Sequence, residues 1–302
     1  MKAVDIIGVP LDFGANKRGV DMGPAAIRYS GLYEAVSNMG RECRDLGNID
    51  VPITRGPTPG SANANDISRL NQTYQELAQT VGRSLREGRM PLILGGDHSI
   101  AIGSLTGVHS VIGDIGILWL DAHGDFNTLE TSLSGNLHGM PLALCSGAGK
   151  YPGLSFTRCI HPKNVVIIGL RSIDPGEAAL MERLGVTVFT IEDIDSLGMR
   201  EVMHRSLAIA GNGTAGIHLS FDLDVLDPAE APGVGTPVQG GLTYREAHFA
   251  AEMVAACPQL CSIEFVELNP ILDSRNQTGE LAVSLICSVL GKRIFKRIPL
   301  VF

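Results

Sequence analysis

Positive charge is scarce in this chain. Its 24 Lys and Arg against 32 Asp and Glu give a formal net charge of −8. Nucleic acid and acidic membranes both bind basic surfaces, so the balance argues against either as a partner. A cationic small molecule is mildly favoured. No apolar run approaches the length that crosses a bilayer. The opening MKAVDIIGVPLDFG meets Pro and Gly too soon for a signal segment and reads as a first strand, so the expected location is the cytoplasm. Cysteine is present but unorganised. The six cysteines form no CxxC pair and mostly sit among apolar residues, as in LALCS and SLICSVL. They are expected to be buried free thiols in a reducing compartment. Repeats, low-complexity tracts and charge blocks are absent. Aromatics make up 5%, with one tryptophan, Trp119, expected to be a packing residue.

The 302 residues are 44% hydrophobic and 19% charged, ordinary values for a soluble globular protein. Short β-rich apolar runs recur: VDIIGVP, MPLILGG, IGILWLD, NVVIIGL, TVFTI, GIHLSFDLD and IEFVELNP. Such runs are typical of strands buried on both faces, hence parallel ones. Helical patterns lie between them. The clearest is DISRLNQTYQELAQTVGRSLREG, with Asp66 near its start and Gly88 near its end. Others are GEAALMERLG, REAHFAAEMVAACP and TGELAVSLICSVLGKRI. The alternation predicts an α/β fold with a central parallel sheet flanked by helices. The Pro- and Gly-rich segment 52–65 is expected to be a surface loop, too short for a domain linker. One domain over 1–302 is expected.

Four predicted strands end in polar clusters. MPLILGG runs into GGDHS, with Asp97 and His98. IGILWL runs into DAHGD, with Asp121, His123 and Asp125. GIHLSF runs into DLDVLDP, with Asp222, Asp224 and Asp227. IEFVELNP carries Glu267. In open α/β sheets, sites form beyond the carboxyl ends of strands. Alternate residues of an extended chain point the same way, which lets Asp121, His123 and Asp125 share one pocket, and Asp222 and Asp224 likewise. Crowded carboxylates repel and draw protons unless a cation neutralises them. Two histidines and four aspartates exceed one tetrahedral zinc and suit two octahedral-leaning ions with shared carboxylates. Oxygen-rich ligands with some imidazole favour manganese, with iron, cobalt or zinc as alternatives. Two close ions acidify a water between them, which points to hydrolysis. Asp97 is read as a cap or orienting residue and Asp227 as a turn residue. His109, His161, His204, His218 and His248 fall outside any cluster.

The ordered set GGDHS, DAHGDFNT, SGNLHG, SFDLDVLDP with APGVGTP, and EFVELNP resembles the arginase (ureohydrolase) family. The N-terminal RGVDMGPAAIR extends the likeness over essentially the whole chain. The resemblance implies a parallel sheet between helices and a site for two manganese ions per subunit. By motif, His98 and His123 would be terminal ligands and Asp121 and Asp222 bridging ones. Asp125 would complete one ion's shell and Asp224 the other's. The implied reaction is attack of a metal-bridging hydroxide on a guanidinium carbon, giving L-ornithine and urea from L-arginine. Asp125 would also hold the nucleophile and take its proton, and His138 would shuttle protons. Glu267 would pair with the guanidinium, with Thr236 beside it.

Arginases resemble this chain more than agmatinases do. Asn127 and Ser134 match positions that hold the substrate α-carboxylate, and Asp174 matches the contact to the α-amino group. Glu177 would support that end. Ser172 departs from the pattern, since many arginases carry an acidic residue there. Agmatine or guanidinobutyrate as substrate, and a metal-bound regulatory protein without turnover, are the competing readings. Asn127, Ser134 and Asp174 oppose the former, and the intact ligand set the latter. A homo-oligomer is implied, a trimer or a hexamer built from trimers.

Overall fold

The computed structural model describes residues 2–14, 17–51, 64–155 and 157–293. Their strands form a single eight-stranded sheet. They are β1 (Val4–Val9), β2 (Cys43–Asn48), β3 (Met90–Gly95), β4 (Ile115–Leu120), β5 (Val165–Leu170), β6 (Thr187–Thr190), β7 (Gly216–Asp222) and β8 (Leu260–Val266). Every pairing is parallel, in the order β2-β1-β3-β8-β7-β4-β5-β6. Helices join successive strands, as a parallel sheet demands.

Each inner strand alternates its side chains between two apolar cores, one on each face. Val4 and Ile6 of β1 face one, with Leu118, Leu120 and Phe221. Ile7 and Val9 face the other, with Ile93, Ile117 and Trp119. Burial on both faces is why these strands read as unbroken apolar runs. The helix Ala64–Arg86 packs on the second core through Ile67, Leu70, Tyr74, Leu77 and Val81, spaced three and four apart. Gly88, at φ +71°, follows its end.

All seven expected strands are present, with Glu267 one residue past β8. The eighth, β2, escaped the sequence pattern because it is a polar, largely exposed edge. Its charges are held sideways instead: Arg28 forks onto Asp45 at 2.7 and 2.9 Å, and Arg44 onto the buried Asp5. The helices Gly23–Tyr29, Leu32–Asn38, Ala101–Ile112 and Met199–Ala210 were also not anticipated as such. The expected loop 52–65 lies outside the described residues over 52–63, as does the chain end from 294. All six cysteines are free; Cys43 and Cys257 are half-buried and the other four buried.

The sheet order explains how distant motifs meet. β3, β8, β7 and β4 are consecutive neighbours, and these four carry the polar clusters at their carboxyl ends. Register refines it: Leu120 pairs with Phe221, and Asp222 with Val266, so Asp121, Asp222 and Glu267 leave the sheet nearly level.

Candidate metal centre

Six predicted ligands converge on this end of the sheet. His98 Nδ1 lies 3.1 Å from a carboxylate oxygen of each of Asp121, Asp125 and Asp222. His123 Nδ1 lies 3.1 Å from Asp224 and 3.4 Å from Asp121. Two sets therefore have ligand-like spacing, His98–Asp121–Asp125 and Asp121–His123–Asp224, and Asp121 belongs to both. It turns Oδ2 to one histidine and Oδ1 to the other. Asp222 turns Oδ2 toward His98, while its Oδ1 accepts the Asp224 N–H at 2.8 Å.

The donor set fits a pair of ions. His98 Nδ1 is buried and makes no hydrogen bond of good geometry, although three carboxylates surround it. An orphaned imidazole nitrogen amid carboxylates is what a ligand cage leaves. Electrostatics agree. Burial opposes charge on both histidines, yet the carboxylates hold His98 well above its ordinary pKa and push His123 up to about 12. Burial and then the neighbouring acids raise Asp222 and Asp224, while Asp125 rises through burial and Asp121. Asp121 alone of the four goes down, the two histidines outweighing its burial. Protons stand where cations would relieve the same repulsion.

Supports behind the ligands were not foreseen. Ser220 Oγ lies 2.8 Å from His98 Nε2 and donates to Glu264 at 2.9 Å. That chain fixes the His98 tautomer with Nδ1 free for a ligand role. Trp119 stacks flat on His98 at 3.9 Å and donates to Asp121 Oδ2 at 2.9 Å. It packs as expected and also orients two of the predicted ligands. These residues form one register row, Trp119 opposite Ser220 and Ser220 opposite Glu264. A charge inside the apolar run LCSIEFV, and the alternation of Ser220 with Asp222, were the legible signs.

A cavity of about 240 Å³ opens over the predicted ligands. Its walls include His138, Asn127, Ser134, Ser172, Asp174, Glu177 and Thr236. Asp125 (φ +49°) and Glu267 (φ +67°) hold left-handed backbone, a strain that persists where the surroundings enforce it. Glu267 is buried behind His138: its Oε1 accepts the His98 N–H at 2.9 Å and lies 3.1 Å from His138 Nδ1. Burial opposes protonation of His138, but Glu267 draws its pKa up to about 9. Thr236 donates to Asp224 Oδ2 at 2.9 Å. The expected neighbour Glu267 is near this turn, 3.7 Å from where a Cβ on Gly235 would lie.

The outer end is knitted from side chains. Asn127 Nδ2 donates to Asp174 Oδ2 at 3.1 Å, and Thr131 donates to Asn127 Oδ1 at 2.8 Å. Asp174 caps the helix Pro175–Leu184 in a box with Glu177. Glu177 accepts the Phe126 N–H at 2.7 Å, and burial lifts its pKa to about 7. It sits so close that a Cβ on Gly124 would lie 2.6 Å from Oε1, which explains glycine inside DAHGD. Ser134 is exposed on the rim and accepts the Asn136 N–H at 3.2 Å.

Asp97 caps the turn at His98–Ile100 and accepts the Gly14 N–H at 2.8 Å, and Asp227 accepts N–H groups of Ala229, Gly240 and Gly241, both as expected. His218 and His248 are structural residues bonded to Ser262 and Ser288, although His218 Nε2 is buried without a hydrogen bond, 3.9 Å from Glu264 Oε1. Among the described residues no helix is long and apolar enough to cross a membrane.

The chain is similar to known proteins over nearly its whole length. The model described as "Arginase family" matches residues 2–291. An arginase from Bacillus caldovelox is 47% identical over 301 residues, covering 97% of this chain and 100% of its own. One from Bacillus subtilis (strain 168) is 48% identical over 296 residues, covering 97% and 99%. The native structure of the Bacillus caldovelox arginase at pH 5.6 matches with a TM-score of 0.90 at 46% identity, over 98% of this chain and 100% of that one.

Proposed function

The chain belongs to the arginase family, and from that premise we propose that it hydrolyses L-arginine to L-ornithine and urea across a single domain spanning 1–302. It is a metal-dependent amidinohydrolase. The observation that carries the site assignment is His98 Nδ1, buried without a hydrogen bond and ringed by three carboxylates at 3.1 Å.

His98, Asp121, His123, Asp125, Asp222 and Asp224 would hold two manganese ions, with Asp121 shared by both groups. When bound, such a pair makes a water acidic enough to lose a proton near neutrality. Asp125 would accept the proton of the attacking water. The water oxygen bonds to the guanidinium carbon and the bond from that carbon to the chain nitrogen breaks. The proton passes to the departing nitrogen, which leaves as the ornithine amine. His138, backed by Glu267, moves protons between the site and solvent. Glu267 also pairs with the guanidinium, while Thr236 orients Asp224. Asn127 and Ser134 bind the α-carboxylate, and Asp174 the α-ammonium.

The six free cysteines support a reducing, cytoplasmic location. A homohexamer of two trimers is the expected assembly, and a light-scattering mass equal to one chain would contradict it. The test of function is urea release from L-arginine, agmatine and guanidinobutyrate, with ornithine measured in parallel. Equal amounts of urea and ornithine from L-arginine support the reading. Urea from agmatine alone would replace it with a different ureohydrolase.

A further inference from the structure

We propose that Arg171 is a positioning residue for one half of the metal centre, the half built from Asp121, His123 and Asp224. The inference rests on the two-ion reading above. Arg171 follows β5, and its N–H donates to Ala122 O at 3.0 Å. Ala122 stands between Asp121 and His123, so this bond fixes the backbone from which both ligands leave.

The guanidinium reaches the third ligand. It makes six hydrogen bonds, all to main-chain carbonyl oxygens. Nη2 donates to Asp224 O at 2.7 Å, to Leu226 O at 3.2 Å and to Val238 O at 2.8 Å. Nη1 donates to Val225 O at 3.1 Å and Gly169 O at 3.2 Å, and Nε to Val238 O at 3.2 Å. The backbone of Asp224 and the two residues after it is thereby tied to the end of β5. The segment past Thr236 is tied in as well, through Val238. Thr236 orients the Asp224 carboxylate at 2.9 Å, and Ala122 N–H donates to its other oxygen at 3.2 Å. One side chain thus braces the ligand's backbone and the loop that aims its carboxylate. The packing leaves no slack: a Cβ on Gly241 would lie 2.6 Å from Nη2.

Only a guanidinium does this. It offers five donors in a rigid plane and keeps its proton, whereas a lysine ammonium offers three donors on a flexible stem. The charge also faces the crowded aspartates, Asp224 foremost among them. The His98 group is held by other means. Ser220 and Trp119 orient His98, and Glu177 holds the Phe126 N–H beside Asp125. None of these bonds involves Arg171, so its loss is felt on one side.

The experiment compares native protein, Arg171→Lys and Arg171→Met after manganese loading and dialysis against graded free manganese. Metal per chain is counted, and thermal midpoints are taken on metal-stripped samples. Arg171→Met should keep one ion at concentrations that fill both sites of the native protein, the affinity for the other falling about 10- to 100-fold. Arg171→Lys should fall between, and it is the deciding variant should Arg171→Met fold poorly. A stripped midpoint near native beside one-sided metal loss separates positioning from general bracing. Two ions held with native affinity in Arg171→Lys and Arg171→Met, or parallel loss of both ions, would overturn the proposal. A native protein that binds a single ion overturns the two-ion reading and this inference with it.

Discussion

The floor and the rim of the cavity are built on different principles. On the floor, His98, Asp121, Asp222 and Asp224 are each at most 3% exposed and grow from the carboxyl ends of three strands, β3, β4 and β7. Their partners are backbone N–H groups and buried side chains of the sheet. On the rim, Ser134, Ile173 and the 85%-exposed Leu133 stand on loops, and polar side chains such as Asn127 and Asp174 bond one another across a gap between segments. A buried floor holds charges at fixed spacing, which chemistry requires. A looser rim tolerates change, which suits the choice of substrate.

The largest effect expected from disturbing the floor follows removal of the metal. A chelated sample should lose turnover altogether and melt at a lower temperature, since four unneutralised aspartates then repel. Manganese should restore both. Full activity after complete chelation, checked by elemental analysis, would remove the basis of the comparison.

The next effect lies at the junction. His138 lines the cavity and leans on the buried Glu267. His138→Asn should lower kcat by about 10²- to 10⁴-fold, the range for a lost proton-transfer group. Two ions should remain bound, because neither His138 nor Glu267 belongs to the ligand groups. Metal loss in parallel with kcat would make His138 part of the floor instead.

Smaller still is the effect of Asp174→Ala. It removes the helix cap, the Asn127 contact and the expected contact to the α-ammonium. Loss of the cap costs roughly 0.5–2 kcal/mol of stability. KM for L-arginine should rise while kcat stays near native. A fall in kcat with unchanged KM, seen by steady-state kinetics, would show that this rim residue acts on the chemistry.

The smallest is a pH effect at Glu177, between the two regions. Burial raises its folded pKa to about 7 from the ordinary 4.5. The raised value makes its contribution to folding complete below 4.5 and lost as pH rises through 7. Relative to Glu177→Gln, the native protein should therefore lose thermal stability between about pH 5 and about pH 8. Parallel melting curves across that window would deny the raised value.

The same contrast explains what was legible in the sequence. Strands buried on both faces announce themselves as apolar runs, so β1, β3 to β5, β7 and β8 were readable; the half-buried edge strand β6 was legible from its β-rich TVFT, while β2 carries Arg44 and Asp45 on an open edge and resembles a loop. Ligands at strand ends break those runs with acids at alternate positions. Trp119 and Arg171 carry no such mark, and Ser220 shows only its alternation with Asp222. Trp119 reads as packing, and Ser220 becomes a support only when β7 lies beside β8. Arg171 acts through carbonyl oxygens, which every residue possesses. Ser134 shows a limit of another kind. Its residue type is compatible with a carboxylate, but its exposure means that leaving it unpaired costs less than leaving Asn127 unpaired, since water can take the ligand's place.

The division between floor and rim is tested most directly by one set of kcat/KM values. L-arginine, agmatine and guanidinobutyrate are compared in native protein and in the Asn127→Ala/Ser134→Ala variant, with bound metal counted in the same samples. The native protein should favour L-arginine by on the order of 10³-fold, because a site built to pair polar groups rejects analogues lacking them. The variant should keep both ions and lose most of that preference, chiefly through a higher KM for L-arginine. Native protein that hydrolyses agmatine as well as L-arginine, or a variant that loses metal before it loses selectivity, would contradict the account.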